Sequence, residues 1–235
     1  MNKRVVITGM GVISPVGNDV NTFWSNLCDG VCGIDYIKSF PTDNLPVGIA
    51  GIIKDFKAEE YGMDKPFIRK QDLFTQYGVA AAYQAMRQSG LSSKGEDKNI
   101  DPFRLGVYFG SGIGGFATQY REISKMIEDP SGQWISPLFI PTMISNIAAG
   151  HIAILHNAQG PCLDIVTACA TSTNAMGEAF RAIRNGYADA IITGGCENAT
   201  IPIGIVGFAN AKALSRATDP NYASLPFNGN RAGFV

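Results

Sequence analysis

Histidine is scarce in these 235 residues: His151 and His156 are the full complement, and none follows His156. Charge is thin as well. Asp, Glu, Lys and Arg make up 17% of the chain, against about 25% in ordinary soluble domains. The 19 basic and 20 acidic residues leave a net charge of -1. With no basic excess to neutralise phosphates, general nucleic-acid binding is excluded. No run of about 18 uninterrupted apolar residues occurs, so no membrane-spanning helix is expected. Intrinsic disorder is excluded too, because 46% of the residues are hydrophobic and the net charge is near zero. The five cysteines, Cys28, Cys32, Cys162, Cys169 and Cys196, are odd in number and show no disulfide framework. Zinc is not expected: the two histidines are five residues apart, and Cys28 with Cys32 would need two more ligands.

Glycine, by contrast, is abundant, with 27 residues, above the usual share of about 7%. It points to tight turns and close helix–sheet contacts. The low charge suggests that part of the outer surface is covered by a partner or by more chain. The start, MNKRVVITGMGVISPVG, has a basic opening and an apolar stretch, as a signal peptide would. Gly9, Gly11, Pro15 and Gly17 interrupt that stretch and no small-residue cleavage site follows. A strand over Arg4–Thr8 and a cytoplasmic location are the expectation.

Apolar runs alternate with helical patterns along the chain. Asn18 or Asp19 caps a helix with Val20, Phe23, Trp24 and Leu27 on one face. A second helix is predicted from about Asp72 to Ser89, with Leu73, Tyr77, Ala80, Ala81 and Ala85 inward and Gly90 as its stop. The polar stretch 92–101 reads as a loop and Arg104–Phe109 as a strand. GSGIGG follows, then a helix to about Glu128, an irregular stretch over 129–142 and a helix over about 143–157. Strand 162–167, helix 170–185 and strand 188–193 complete the pattern. Strands separated by helices, several of them continuously apolar, argue for an α/β layered fold with a parallel sheet.

Residues 161–195 carry the chemistry. Leu163, Ile165 and Val166 lead into Cys169, which is flanked by small residues, and a helix begins just after it. Ala175, Met176, Ala179, Phe180 and Ile183 follow the helical period, with Glu178 on another face. Arg181 and Arg184 fall in the last turn and Gly186 stops the helix. A cysteine at a strand-to-helix turn lies where free N–H groups and the helix dipole favour thiolate and can steady a developing oxyanion. The residues themselves leave two readings open for Cys169: an activated nucleophile on a sharp elbow, or a buried structural thiol. The other four cysteines read as buried small apolar groups.

TACATSTNAMGEAFRAI, with GSGIGG upstream and ALS…PFNGNRAGFV downstream, resembles the beta-ketoacyl-acyl carrier protein synthases, most of all the elongating synthase II branch. VVITGMGVISPVGN, RKQDLFTQYG, AAGHIAI and GGCENATIPIGIVGFANAKALS extend the resemblance in order along the whole chain. It implies a thiolase-like layered α-β-α-β-α fold, of which residues 1–235 would supply mainly the N-terminal half. It implies that Cys169 takes an acyl chain from a carrier protein as a thioester. Malonyl-carrier protein is then decarboxylated and its carbanion attacks that thioester, with the Cys169 N–H as one half of the oxyanion hole. The family's two histidines and lysine, and its gate loop, lie after the cysteine and are expected beyond Val235. His151 matches a position that is not catalytic in the family, and His156 reads as a solvent or packing histidine. The isolated chain would then be inactive in condensation.

The resemblance also places Ile113 and Phe208 at the acyl pocket, and Phe139 near a homodimer interface where it closes the partner's pocket. Lys65, Arg69, Lys70, Lys212 and Arg216 match docking regions for acidic acyl carrier protein. It implies no cofactor and no metal. Asn228 and Ala232 stand where relatives often carry Asp or another polar residue, which weakens the branch assignment. The rival readings are a ketosynthase of a polyketide or polyene pathway, an inactive truncated half, and a non-catalytic partner subunit that sets chain length. The presence of Cys169 argues against the last.

Overall fold

The computed structural model describes residues Arg4–Val235. In chain order they form α1 (Val20–Cys28), β1 (Ile34–Tyr36), β2 (Ile49–Gly51), α2 (Lys65–Lys70), α3 (Leu73–Ser89), β3 (Leu105–Gly110), α4 (Phe116–Glu128), α5 (Phe139–Met143), α6 (Ile147–His156), β4 (Cys162–Leu163), α7 (Thr171–Arg184), β5 (Ala190–Gly195) and α8 (Pro202–Asn210). The chain divides into two compact units. Among the described residues, one comprises 4–11 and 57–198, the other 12–56 and 199–235.

The first unit is built on a three-stranded parallel sheet in the order β4-β3-β5. β3 is central and buried at all six residues, as its unbroken apolar run predicts. Leu105 and Val107 have no exposed surface, and burying such a side chain contributes about 1.5–3 kcal/mol. α3, α6 and α7 pack on this sheet. Asp72 caps α3 by accepting from Phe74 N, and Gly90 closes it in the left-handed region at φ 67°.

The inward face of α3 differs from its predicted one. Leu73 is 42% exposed, whereas Phe74, Thr75, Gln76, Gly78, Val79, Ala80, Ala82 and Met86 are buried. A helix enclosed by the sheet, α6 and the preceding 3-10 turn has no single apolar face for periodicity to find. Residues 9–11 lie against it too. A Cβ on Gly9 or Gly11 would sit 2.0 Å from Ala85 O or 1.9 Å from Ala81 O, so both positions require glycine.

Three further expectations shift. Residues 4–8 join no sheet, and Val6 and Ile7 are exposed: an apolar run becomes a strand only where a neighbour completes its ladder. The strand expected over 162–167 pairs only at Cys162 and Leu163, after which the chain turns toward the elbow. The helix expected over 143–157 begins only at Ile147, as α6, and the stretch expected to be irregular holds the short α5, with Ile144 extended after it. On α7, Ala175 and Ala179 face inward as expected, but Met176 and Phe180 are 46% and 42% exposed.

The second unit pairs β1 and β2 antiparallel, which the sequence reading did not anticipate. Ile37, Val47, Ile49, Ala50, Ile205, Ala209 and Leu214 form its core. Asp19 caps α1 as expected, accepting from Asn21 N and Thr22 N, yet none of that helix is buried and Trp24 is exposed.

Candidate active site

The elbow follows from small residues at the ends of two strands. A Cβ on Gly110, the last residue of β3, would sit 2.0 Å from Ile165 O, and one on Gly195 would sit 3.1 Å from Ser172 Cβ. The start of α7 can therefore approach the sheet closely. Ala168 takes φ 50°, the left-handed region that a residue with a side chain rarely occupies. A 3-10 turn, Ala168–Ala170, follows and runs directly into α7.

Cys169 sits in this turn and is exposed. The Ala170 N–H donates to Thr167 O at 3.1 Å, and the Thr171 N–H donates to Ala168 O. Among the described residues, no hydrogen bond engages the Cys169 N–H itself. Thr171 and Asn174 brace the turn: Thr167 N donates to Thr171 Oγ1 at 3.0 Å, and Asn174 Nδ2 donates to Thr167 Oγ1 at 2.7 Å. An accessible sulfur beside an uncommitted amide, on a strained and braced turn, is chemically suited to nucleophilic attack with oxyanion support.

The glycine-rich loop lies against the elbow. Ile113 is half-buried within it. Its amide donates to Glu197 Oε2 at 3.1 Å, and Ser111 Oγ donates to Glu197 Oε1 at 2.9 Å. Burial raises the Glu197 pKa, opposed by the bonds from Ser111, Gly112, Ile113 and Asn198. The sequence reading passed over Glu197. Its signal was faint: one carboxylate directly after an apolar strand.

The remaining cysteines depart from expectation. Cys28, Cys32 and Cys162 are exposed rather than buried, because α1 and the short β4 are left uncovered. Cys196 alone matches its reading as an enclosed thiol. Its Sγ lies 2.8 Å from where a Cβ on Gly78 would be, and burial pushes its pKa up. Both histidines are packing groups on α6. His151 meets the Phe67 ring edge-on at 4.8 Å, and burial lowers its pKa. Burial and the Lys94 charge push His156 down to about 4.

Lys65, Arg69 and Lys70 are brought together, exposed, on α2. Arg69, Lys70 and Phe139 share the lining of a cavity of about 340 Å³ with Asp72, Arg121 and Lys125. Glu122 is buried at its floor, accepting from Lys125 Nζ and Arg121 Nε at 3.0 Å each and from Ser136 N at 3.0 Å. Burial works against ionisation there, but the Ser136, Lys125 and Arg121 bonds outweigh it and hold the pKa at about 2. Phe208, Lys212 and Arg216 belong to the second unit. Phe208 meets Phe234 edge-on at 5.4 Å and lines a cavity of about 290 Å³ with Ile205, Leu214 and Val235. Lys212 and Arg216 are exposed. No cluster that could hold a metal ion occurs among the described residues, and no helix there is long and apolar enough to cross a membrane.

The family described as "Beta-ketoacyl synthase, N-terminal domain" matches residues 2–235. The chain is 44% identical over 234 residues to "3-oxoacyl-[acyl-carrier-protein] synthase 2" of Staphylococcus aureus strain N315, covering 100% of this chain and 55% of that protein. It is equally 44% identical to the protein of the same name from Vibrio cholerae serotype O1, covering 99% of this chain and 55% of that one. The chain thus spans about half the length of the curated relatives it matches. Among solved structures, a type II polyketide synthase acyl-carrier protein in complex with its ketosynthase bound to the hexaketide aligns with TM-score 0.84 at 27% identity, covering 100% of this chain and 56% of that one. The ishigamide ketosynthase/chain length factor aligns with TM-score 0.84 at 25% identity, covering 99% and 55%.

Proposed function

Since the chain belongs to the beta-ketoacyl synthase family and shares the thiolase-like α/β fold of ketosynthases, we propose that it supplies the acyl-loading half of a 3-oxoacyl-acyl carrier protein synthase of fatty acid elongation. The Cys169 sulfur attacks the thioester carbonyl of an acyl-carrier protein. A new S–C bond forms, the carrier's thiol leaves with a proton, and the developing oxyanion is met by the Cys169 N–H. Malonyl-carrier protein then loses carbon dioxide, and its carbanion attacks the Cys169 thioester. The 3-oxoacyl chain departs on the carrier and the cysteine is freed.

The observation that carries this reading is the exposed thiol on a strained turn whose own amide is uncommitted. His151 and His156, packed on α6, are not placed in the reaction. The histidines and lysine of decarboxylation and condensation, and the gate loop, are assigned to the part of the relatives' length that these 235 residues do not span. Ile113, Phe208 and Phe139 are assigned to the acyl pocket, the last across a homodimer interface. Lys65, Arg69, Lys70, Lys212 and Arg216 are assigned to docking an acidic carrier protein in the cytoplasm. A solved structure of an acyl-carrier protein in complex with its ketosynthase supports a partner of that kind. Elongation is favoured over a polyketide role because the 44% identical relatives carry the synthase 2 name, whereas the polyketide-type structures are 27% and 25% identical.

Intact-mass measurement on the full-length protein, with and without Cys169→Ala, tests the reading. One acyl adduct on the native protein and none on the variant is the expected result. Equal adducts on both, or none on a folded native protein, would overturn it.

A further inference from the structure

The GSGIGG loop depends on a single carboxylate. Each oxygen of Glu197 takes a different donor from it, Ser111 Oγ at 2.9 Å and Ile113 N at 3.1 Å. Ser111 Oγ in turn accepts from Gly114 N at 2.9 Å. Three of the four residues 111–114 are thus tied, directly or through one hydroxyl, to one side chain. The loop needs such an anchor, because Gly112, Gly114 and Gly115 give its backbone wide freedom, and Gly114 sits at φ 80°. The anchor itself rests on rigid structure. Cys196 N donates to Gly110 O at 3.0 Å, carrying the β3–β5 pairing one residue past Gly195 and up to Glu197.

The same carboxylate borders the elbow. A Cβ on Gly112 would lie 2.8 Å from Glu197 Oε2 and 3.7 Å from Ala168 Cα. Ala168 is the left-handed residue that sets the direction of Cys169. Loop, carboxylate and elbow therefore converge on one glycine.

We propose that Glu197 is the positioning residue of the acyl site: by holding the Ser111 hydroxyl and the Ile113 amide together, it fixes the Ile113 side chain beside the elbow and sets which acyl chain lengths Cys169 accepts. This rests on the loading reading given above. Glu197 touches no reacting atom; it acts through Ile113. Replacing it with alanine removes both acceptor oxygens, so both ties are lost, whereas a glutamine amide could still accept from Ile113 N and donate to the Ser111 hydroxyl. Gly112→Ala pushes the carboxylate away from the other side.

The test compares full-length native protein with Glu197→Ala and Gly112→Ala. Hydrogen exchange at the Ile113 and Gly114 amides reports the anchor independently of activity, and should accelerate about tenfold in Glu197→Ala. Loading rates of Cys169 from short-chain and long-chain acyl-carrier protein report the positioning. Their ratio should shift about tenfold in both variants, whereas a loss of general stability would lower the two rates together. An unchanged ratio in folded variants whose loop amides exchange faster would leave Glu197 a structural anchor and overturn the proposal. If the native protein loads no acyl chain at all, the loading reading itself falls and this proposal falls with it. An unchanged ratio on a native protein that does load overturns the Glu197 role alone.

Discussion

α3 and α7 lie on the same sheet, yet they are built to different ends. α3 buries Phe74, Val79, Ala80, Ala82 and Met86 and is enclosed around most of its circumference. α7 reaches the sheet through a strip of small residues, Thr171, Ala175, Ala179 and Ala182, and leaves Met176 and Phe180 exposed. The small strip lets α7 approach closely enough for its first turn to grow out of the elbow. The cost is a helix held by little apolar area. One helix secures the unit; the other presents Cys169.

Substitution breaks that comparison most directly. Phe74→Ala on α3 should destabilise the unit by about 3–5 kcal/mol, while Met176→Ala on α7 should cost this chain within about 0.5 kcal/mol. Denaturant unfolding of both variants checks the contrast. In the full-length protein the Met176→Ala cost should rise, if the exposed ridge of α7 is covered there.

Proton linkage sharpens the comparison on the neighbouring helix α6. Burial pushes the folded pKa of His156 down to about 4, from the ordinary imidazole value of 6.5. Between those values the unfolded chain holds the extra proton, so stability is greatest above pH 6.5 and falls as the pH drops toward 4. The loss should be on the order of 3 kcal/mol, and unfolding measured across that range should show the larger loss in the native protein, with the share of His151, also lowered by burial, remaining in His156→Gln.

Glu122 behaves in the same sense at lower pH. Its pKa is held at about 2, against the ordinary carboxylate value of 4.5, so its contribution is present above pH 4.5 and lost as the pH falls through 2. Because Lys125 and Arg121 are partly exposed, Glu122→Ala should cost about 2 kcal/mol at neutral pH, read from denaturant unfolding. The smallest effect is expected at the surface. Charge reversal of Lys65 and Lys70 should weaken carrier-protein binding about tenfold at low salt, with the difference shrinking as salt is raised. Titration at two ionic strengths would show this.

Much of this was legible in the residues. Leu105–Phe109, continuously apolar, announced a buried strand, and Asp19, Asp72 and Gly90 marked helix ends that the structure keeps. The spacing of strand, small residues, Cys169 and helix located the elbow. Burial was harder to read. Periodicity assumes one covered face, whereas α3 has several and α7 covers only its narrow small-residue strip. Arg4–Thr8 has the composition of a strand but no ladder partner among the described residues. Glu197 was invisible because its donors lie 84 and 86 residues away, and Glu122 shows locally only its pairs with Arg121 and Lys125, not its burial or the bond from Ser136 N 14 residues on. No local pattern encodes such long-range hydrogen bonds.

Four of the five cysteines are exposed, which makes the site of modification decisive. The most direct test is to incubate the full-length protein with acyl-carrier protein, digest it, and locate the acyl group by peptide mass. The account predicts one acyl chain, on the peptide containing Cys169, with Cys28, Cys32 and Cys162 unmodified. An acyl chain on one of those three with Cys169 left free would contradict it.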